Sequence, residues 1–141
     1  MSNLQFSATK GFGVMYRHDV AVAPADIDHM GHVNNAVYLR WVQDAVVAYW
    51  QNTAPPEAVA NHLWVALNHN ISYRAPAFLE DDVVASVVAE GVQGARAFFT
   101  TMFKRGEQVI AEVKSTWCCI DVATMRPARL ARDVVSLFLP N

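Results

Sequence analysis

Apolar residues recur at three- and four-residue spacing at Tyr38, Trp41, Val42, Ala45, Val46 and Tyr49, the spacing of one buried helix face. Asn34 is a favourable N-cap type, and Asn52-Thr53-Ala54-Pro55-Pro56 is a helix breaker. The pattern therefore predicts a long helix from about Asn34 to Gln51. Elsewhere the period falls toward two. Met15 to Ala23 reads as a first strand ended by Pro24, and Leu63–Tyr73, Asp82–Gly91, Ala95–Lys104 and Gln108–Val122 read as long strands. Arg105-Gly106-Glu107 is a tight turn that joins two of them as an antiparallel hairpin. A helical turn is expected near Glu57–Asn61, and Ala131–Leu139 as a short terminal helix or an extended tail. Residues 1–12 read as a flexible N-terminal arm and 13–141 as a single domain, without repeats or a linker.

One strand, one long helix and about four long antiparallel strands define an α+β chain. A sheet with a single helix buries both apolar faces by wrapping around it. The outer face and an edge strand then stay open unless a second subunit covers them, so a dimer is expected. A chain of 141 residues buries about 70% of its unfolded surface and needs no disulfide or metal to hold a core. The hydrophobic content of 53% fits either surface reserved for a partner or apolar ligand, or a core rich in valine and alanine.

Charge removes several classes of function. With 11 basic against 13 acidic residues and no basic stripe, the chain is not expected to bind nucleic acid. No run of about 18 apolar residues is available to span a membrane. The first ten residues lack the basic and apolar regions of a secretory signal. Cys118 and Cys119 are adjacent in a strand, so they point to opposite faces and are poor disulfide partners. Buried thiols and a reducing, cytoplasmic location are expected.

The chemistry concentrates in Asp26-Ile27-Asp28-His29-Met30-Gly31-His32-Val33-Asn34-Asn35, directly before the predicted helix. A helix start offers unpaired N–H donors and a partial positive charge, and Asp28 supplies a base or nucleophile beside it. Donors for a developing oxyanion next to a carboxylate are what acyl transfer requires. Gly31 allows backbone angles that other residues resist. His18, Asp26, Asp28, His29 and His32 are metal-ligand types, but they follow no recognised spacing such as His-Glu-x-x-His, and no metal is expected. Neither a Gly-x-Ser-x-Gly elbow nor a phosphate-cradling glycine loop is present.

The stretch from Asp26 to Trp41 resembles the signature of hotdog-fold acyl-CoA thioesterases, and more narrowly the 4-hydroxybenzoyl-CoA thioesterase-like group. Its His-Val-Asn-Asn-Ala-x-Tyr-Leu portion is also similar to acyl carrier protein thioesterases. Asn70 to Ala77 and Arg126 to Leu130 fit the same family more weakly. The resemblance implies a hotdog fold, an antiparallel sheet wrapped around one long central helix. It implies a homodimer or a dimer of dimers, with the active site at the subunit interface. The substrate would be an acyl-CoA, with coenzyme A as part of it and no separate cofactor.

By the same resemblance Asp28 is the catalytic carboxylate, acting as nucleophile or general base, and the backbone N–H of Asn35 is the oxyanion donor, with Gly31 shaping the turn. His32 matches a histidine given a catalytic part in the acyl carrier protein branch, where the 4-hydroxybenzoyl branch has an apolar residue. Asp26 and His29 read as structural or exposed. By residue type alone, Arg74, Lys104, Arg105, Arg126 and Arg129 are candidates for the phosphates of coenzyme A. Two alternatives stay open: a hotdog hydratase or dehydratase on acyl thioesters, and a non-catalytic acyl-CoA-binding protein. The acyl group, and the choice between coenzyme A and acyl carrier protein, are not legible in the sequence.

Overall fold

The computed structural model describes residues 4–6 and 14–140. Six strands, β1 (Leu4–Phe6), β2 (Val14–Val20), β3 (His62–Tyr73), β4 (Val83–Gln93), β5 (Arg96–Arg105) and β6 (Gln108–Asp121), form one antiparallel sheet in the order β1-β2-β4-β5-β6-β3. The helices are α1 (Val37–Thr53), α2 (Pro56–Asn61) and α3 (Arg132–Val135). No helix among the described residues is long and apolar enough to cross a membrane.

The sheet wraps α1 as the alternation requires. Val83, Ala85, Val87 and Ala89 of β4 and Ala97, Phe99, Thr101 and Phe103 of β5 are buried on the inner face, with half-buried residues between them. Against them α1 places Tyr38, Trp41, Val42, Ala45, Val46, Tyr49 and Trp50. These are the six positions that the helical period marks, and one more. Aromatic rings lock the layers: Tyr38 and Trp41 pack on Phe103, while Tyr49 stacks on Tyr16 at 5.0 Å. The Tyr49 hydroxyl donates to the Val14 carbonyl at 3.0 Å, which satisfies a polar group inside the core. Cys118 and Cys119 are free and buried. Burial pushes the Cys119 thiol up to about 12, so it behaves as a small hydrophobe.

The boundaries depart from the expected ones for identifiable reasons. β2 stops at Val20, whose partner Val83 is the first residue of β4, so Ala21–Ala23 have no strand to pair with. Regular helix begins at Val37 rather than near Asn34, because residues 34–36 form a tighter entry turn with bonds from Val37 N–H to Asn34 and Tyr38 N–H to Asn35. Leu4–Phe6, within the stretch expected to be a loose arm, pair with β2. The remainder of that arm, residues 1–3 and 7–12, lies outside the described residues. The β5–β6 hairpin turns at Gly106, whose φ of +61° favours glycine. At the other end, α3 covers part of the expected terminal helix, and turn bonds continue it to Leu139.

Candidate active site

The segment before α1 folds into a small closed loop. Ile27 and Val33 bridge antiparallel, the Asp28 N–H donates to the His32 carbonyl at 2.8 Å, and the Gly31 N–H returns to the Asp28 carbonyl at 3.0 Å. Gly31 takes φ +83°, and a Cβ there would meet nothing within 4 Å. Backbone conformation alone, not crowding, therefore selects glycine. The loop is tied down at its far end, where Val33 N–H donates to the Ala77 carbonyl and Asn34 N–H to the Asp26 carbonyl, both at 2.8 Å.

Asp28 is half-buried and lines a cleft of ≈ 510 Å³ with His32, Asn34, Asn35, Tyr38, Tyr73 and Arg74 among its walls. Its two carboxylate oxygens differ. Oδ1 accepts the Met30 N–H at 2.9 Å and the His32 N–H at 3.4 Å, whereas Oδ2 has no hydrogen-bond partner among the described residues. Among the described residues one oxygen is held and the other is left without a partner. His32 acts on Asp28 through its backbone; its ring lies edge-on to Phe78 at 5.2 Å and makes no bond to the carboxylate.

Most backbone polar groups of the helix-entry turn are engaged. Asn34 Oδ1 accepts the Ala36 N–H at 2.9 Å, the Asn34 carbonyl accepts Val37 N–H, and the Asn35 carbonyl accepts Tyr38 N–H. The Asn35 N–H stands apart: it donates to nothing among the described residues. A free amide at the start of a 17-residue helix, in the wall that carries Asp28, is a ready donor to an anionic oxygen.

Asp26 has another task. It is 3% exposed, and its carboxylate accepts the Ala23 N–H at 2.9 Å and an Arg40 N–H at 2.8 Å. Burial alone would raise its pKa, yet the Ala23 N–H and the Arg40 guanidinium outweigh burial and hold the carboxyl below its ordinary 3.8. A lowered carboxyl pKa stabilises the fold above the unfolded value, and that part is lost as pH falls through the folded value. Asp26→Asn is therefore expected to lower Tm by about 4 °C at pH 7. The gap to the unsubstituted protein should shrink as pH falls below the ordinary carboxyl value of 3.8, as followed by circular dichroism. A gap independent of pH would contradict this.

The remaining expected residues separate. Arg74 lines the cleft and pairs with Glu112. Lys104 does not line it. Arg105 does not line it either and is spent on structure, bonding Asp81 at 2.6 Å, the Pro76 carbonyl and Gln108. Arg126 and Arg129 are exposed, outside the cleft wall, and His29 is exposed in the loop. No group of three or more His, Cys, Asp or Glu side chains that could hold a metal occurs among the described residues. Two contacts escape sequence reading, although their residues lie in stretches that carry the resemblance: Arg40 against Asp26, 14 positions apart, and Tyr73, whose hydroxyl donates to the Asn35 carbonyl at 2.9 Å across 38 positions. No local pattern links residues so far apart.

A sheet wrapped around one long helix is an architecture that comparison with known proteins identifies. The chain belongs to the thioesterase-like superfamily, whose family model matches residues 22–138; it has the hotdog fold and is a thioester hydrolase. It is 30% identical over 113 residues to the long-chain acyl-CoA thioesterase FadM of Escherichia coli (strain K12), covering 77% of this chain and 85% of that protein. A thioesterase from Thermus thermophilus, solved in complex with coenzyme A and Zn, superposes with a TM-score of 0.75 at 25% identity, over 89% of this chain and 97% of that one. The Synechocystis 1,4-dihydroxy-2-naphthoyl-CoA thioesterase shares the fold, with a TM-score of 0.71 at 18% identity over 89% and 96% of the two chains.

Proposed function

We propose that this protein hydrolyses acyl-CoA thioesters to a carboxylic acid and free coenzyme A, with Asp28 as the reacting carboxylate and the Asn35 N–H as oxyanion donor. The observation that carries the reading is the pairing, in one cleft, of a carboxylate with one unengaged oxygen and a helix-start amide with no partner among the described residues. The substrate class rests on the likeness to the FadM thioesterase and to the coenzyme A-bound Thermus enzyme.

The thioester carbonyl is polarised by the Asn35 N–H, which stabilises the oxyanion as the carbonyl carbon becomes tetrahedral. Asp28 Oδ2 either takes a proton from the attacking water or attacks the carbon itself, forming an anhydride that water then opens. Both routes expel the coenzyme A thiolate, and both use the same free oxygen. Arg74, in the cleft wall and half exposed although it pairs with Glu112, is the cationic side chain there that a coenzyme A phosphate could engage by displacing that carboxylate. Among the described residues no histidine ring bonds to Asp28 to form an acid–base pair, which favours hydrolysis over hydration of an enoyl thioester. Release of free thiol from aromatic, short-chain and long-chain acyl-CoA substrates, beside an enoyl-CoA hydration assay, tests the choice.

The working unit in this reading is at least a homodimer. β3 is one of the two edge strands of the sheet, 12 residues long, and its Leu63, Val65 and Leu67 are each close to half exposed. A long apolar edge of this kind invites pairing with a second copy. Val65→Lys combined with Leu67→Lys is expected to shift the protein to a single-chain species in sedimentation and to remove most of the activity. A two-chain species that persists in the double variant would count against this edge.

A further inference from the structure

We propose that Tyr73 is a positioning residue for the hydrolysis: its hydroxyl, through the Asn35 carbonyl, fixes the helix-entry turn so that the Asn35 N–H stays presented to the cleft. This rests on the acyl-CoA thioesterase reading above and adds to it a residue with no part in the family signature at the helix start.

Tyr73 is the last residue of β3, on a different element from the loop and helix that carry the site. Its ring packs edge-on to Tyr38 of α1 at 5.4 Å, and its hydroxyl donates to the Asn35 carbonyl at 2.9 Å. That carbonyl lies one residue before the N-cap Ala36, in the entry turn that precedes regular helix. There it accepts Tyr38 N–H at 3.3 Å, and the tyrosine hydroxyl at 2.9 Å is the shorter of its two partners among the described residues.

The consequence lies in the geometry of consecutive peptide groups. The Asn35–Ala36 peptide is held at both ends, its carbonyl by Tyr73 and its N–H by Asn34 Oδ1. The preceding peptide is held only through the Asn34 carbonyl, which accepts Val37 N–H, and its own N–H is the free donor. With its neighbour pinned, that peptide cannot rotate without breaking a bond, so the donor is preorganised rather than recruited during reaction. Burial is not what demands the tyrosine bond: Tyr73 is 44% exposed, and water is available to its hydroxyl. Partial burial raises the phenol above its ordinary 10.0, so the hydroxyl remains a donor across the neutral range.

Tyr73→Phe keeps the ring and removes only the hydroxyl. The expected result, with purified protein and the acyl-CoA that the unsubstituted enzyme turns over best, is a fall in kcat of about tenfold, or about 1.4 kcal/mol, because an oxyanion donor acts in the transition state. KM should not change, and Tm should fall by no more than about 4 °C, the scale of one exposed hydrogen bond. Amide hydrogen exchange read by NMR should be faster at Ala36 and altered at Asn35, a signal independent of turnover. An unchanged kcat, a kcat loss matched by a proportionate rise in KM, or unaltered exchange at both amides would each overturn the assignment. The two levels separate cleanly. A failed Tyr73→Phe result with an active parent leaves the thioesterase reading intact. A parent that releases no thiol from any acyl-CoA removes that reading, and the catalytic role of Tyr73 with it.

Discussion

Replacement of Asp28 by Asn or Ala is expected to lower kcat by about 100-fold or more, the scale of losing a positioned base, in a protein that remains folded. The two substitutions act differently on the loop. Asparagine retains an acceptor for the Met30 and His32 N–H groups that Oδ1 now receives, so the turn keeps its hydrogen bonds and only the basicity of the second oxygen is lost. Alanine removes both functions and leaves two amides seeking water. Comparable losses in the two variants therefore locate the effect in the chemistry of the carboxylate. An alanine variant far worse than asparagine would assign Asp28 chiefly to holding the loop. Steady-state kinetics with matched circular dichroism spectra separates these outcomes.

A comparably large effect is expected from Asn35→Pro, paired with a near-silent Asn35→Ala. In the proposed mechanism the donor is a backbone amide, so trimming the side chain keeps it, while proline deletes it. Loss of one oxyanion donor costs about 100- to 1,000-fold in kcat. Proline is tolerated at the start of a helix, where amides have no intrahelical partner. In this structure it removes an N–H that bonds to nothing among the described residues, so no fold-stabilising hydrogen bond is lost. The order alanine much more active than proline is the distinguishing result. An alanine variant as impaired as the proline variant would place the role in the Asn35 side chain instead.

The extent to which this molecule is legible in its sequence follows the range of the interactions involved. The helical period of Tyr38, Trp41, Val42, Ala45, Val46 and Tyr49 reports burial directly, and all six are core residues. The strands from Leu63 onward come within a few residues of their observed ends, because alternation and turn glycines are local signals. Regular helix starts three residues past Asn34, at Val37, since the entry turn depends on how Asn34 and the Asn35 carbonyl are each engaged. Within the site, local chemistry singles out Asp28 and Gly31 as a carboxylate and a turn glycine. The family resemblance adds the Asn35 amide. Which oxygen of Asp28 is free, that Asp26 is committed to Arg40, and that Tyr73 reaches Asn35 all depend on contacts that local patterns do not encode. Residue type also over-nominates cations: Arg105 has the right charge for a phosphate but is held by Asp81 and backbone.

The most direct measurement is release of free thiol by the purified protein from aromatic, short-chain and long-chain acyl-CoA substrates, with folded Asp28→Asn and Asn35→Pro proteins assayed in parallel. Hydrolysis of at least one substrate class by the parent, reduced about 100-fold or more in each variant, is the result predicted. Absence of thiol release across the panel, or near-normal hydrolysis by folded Asp28→Asn, would contradict the assignment of this cleft as an acyl-CoA thioesterase site.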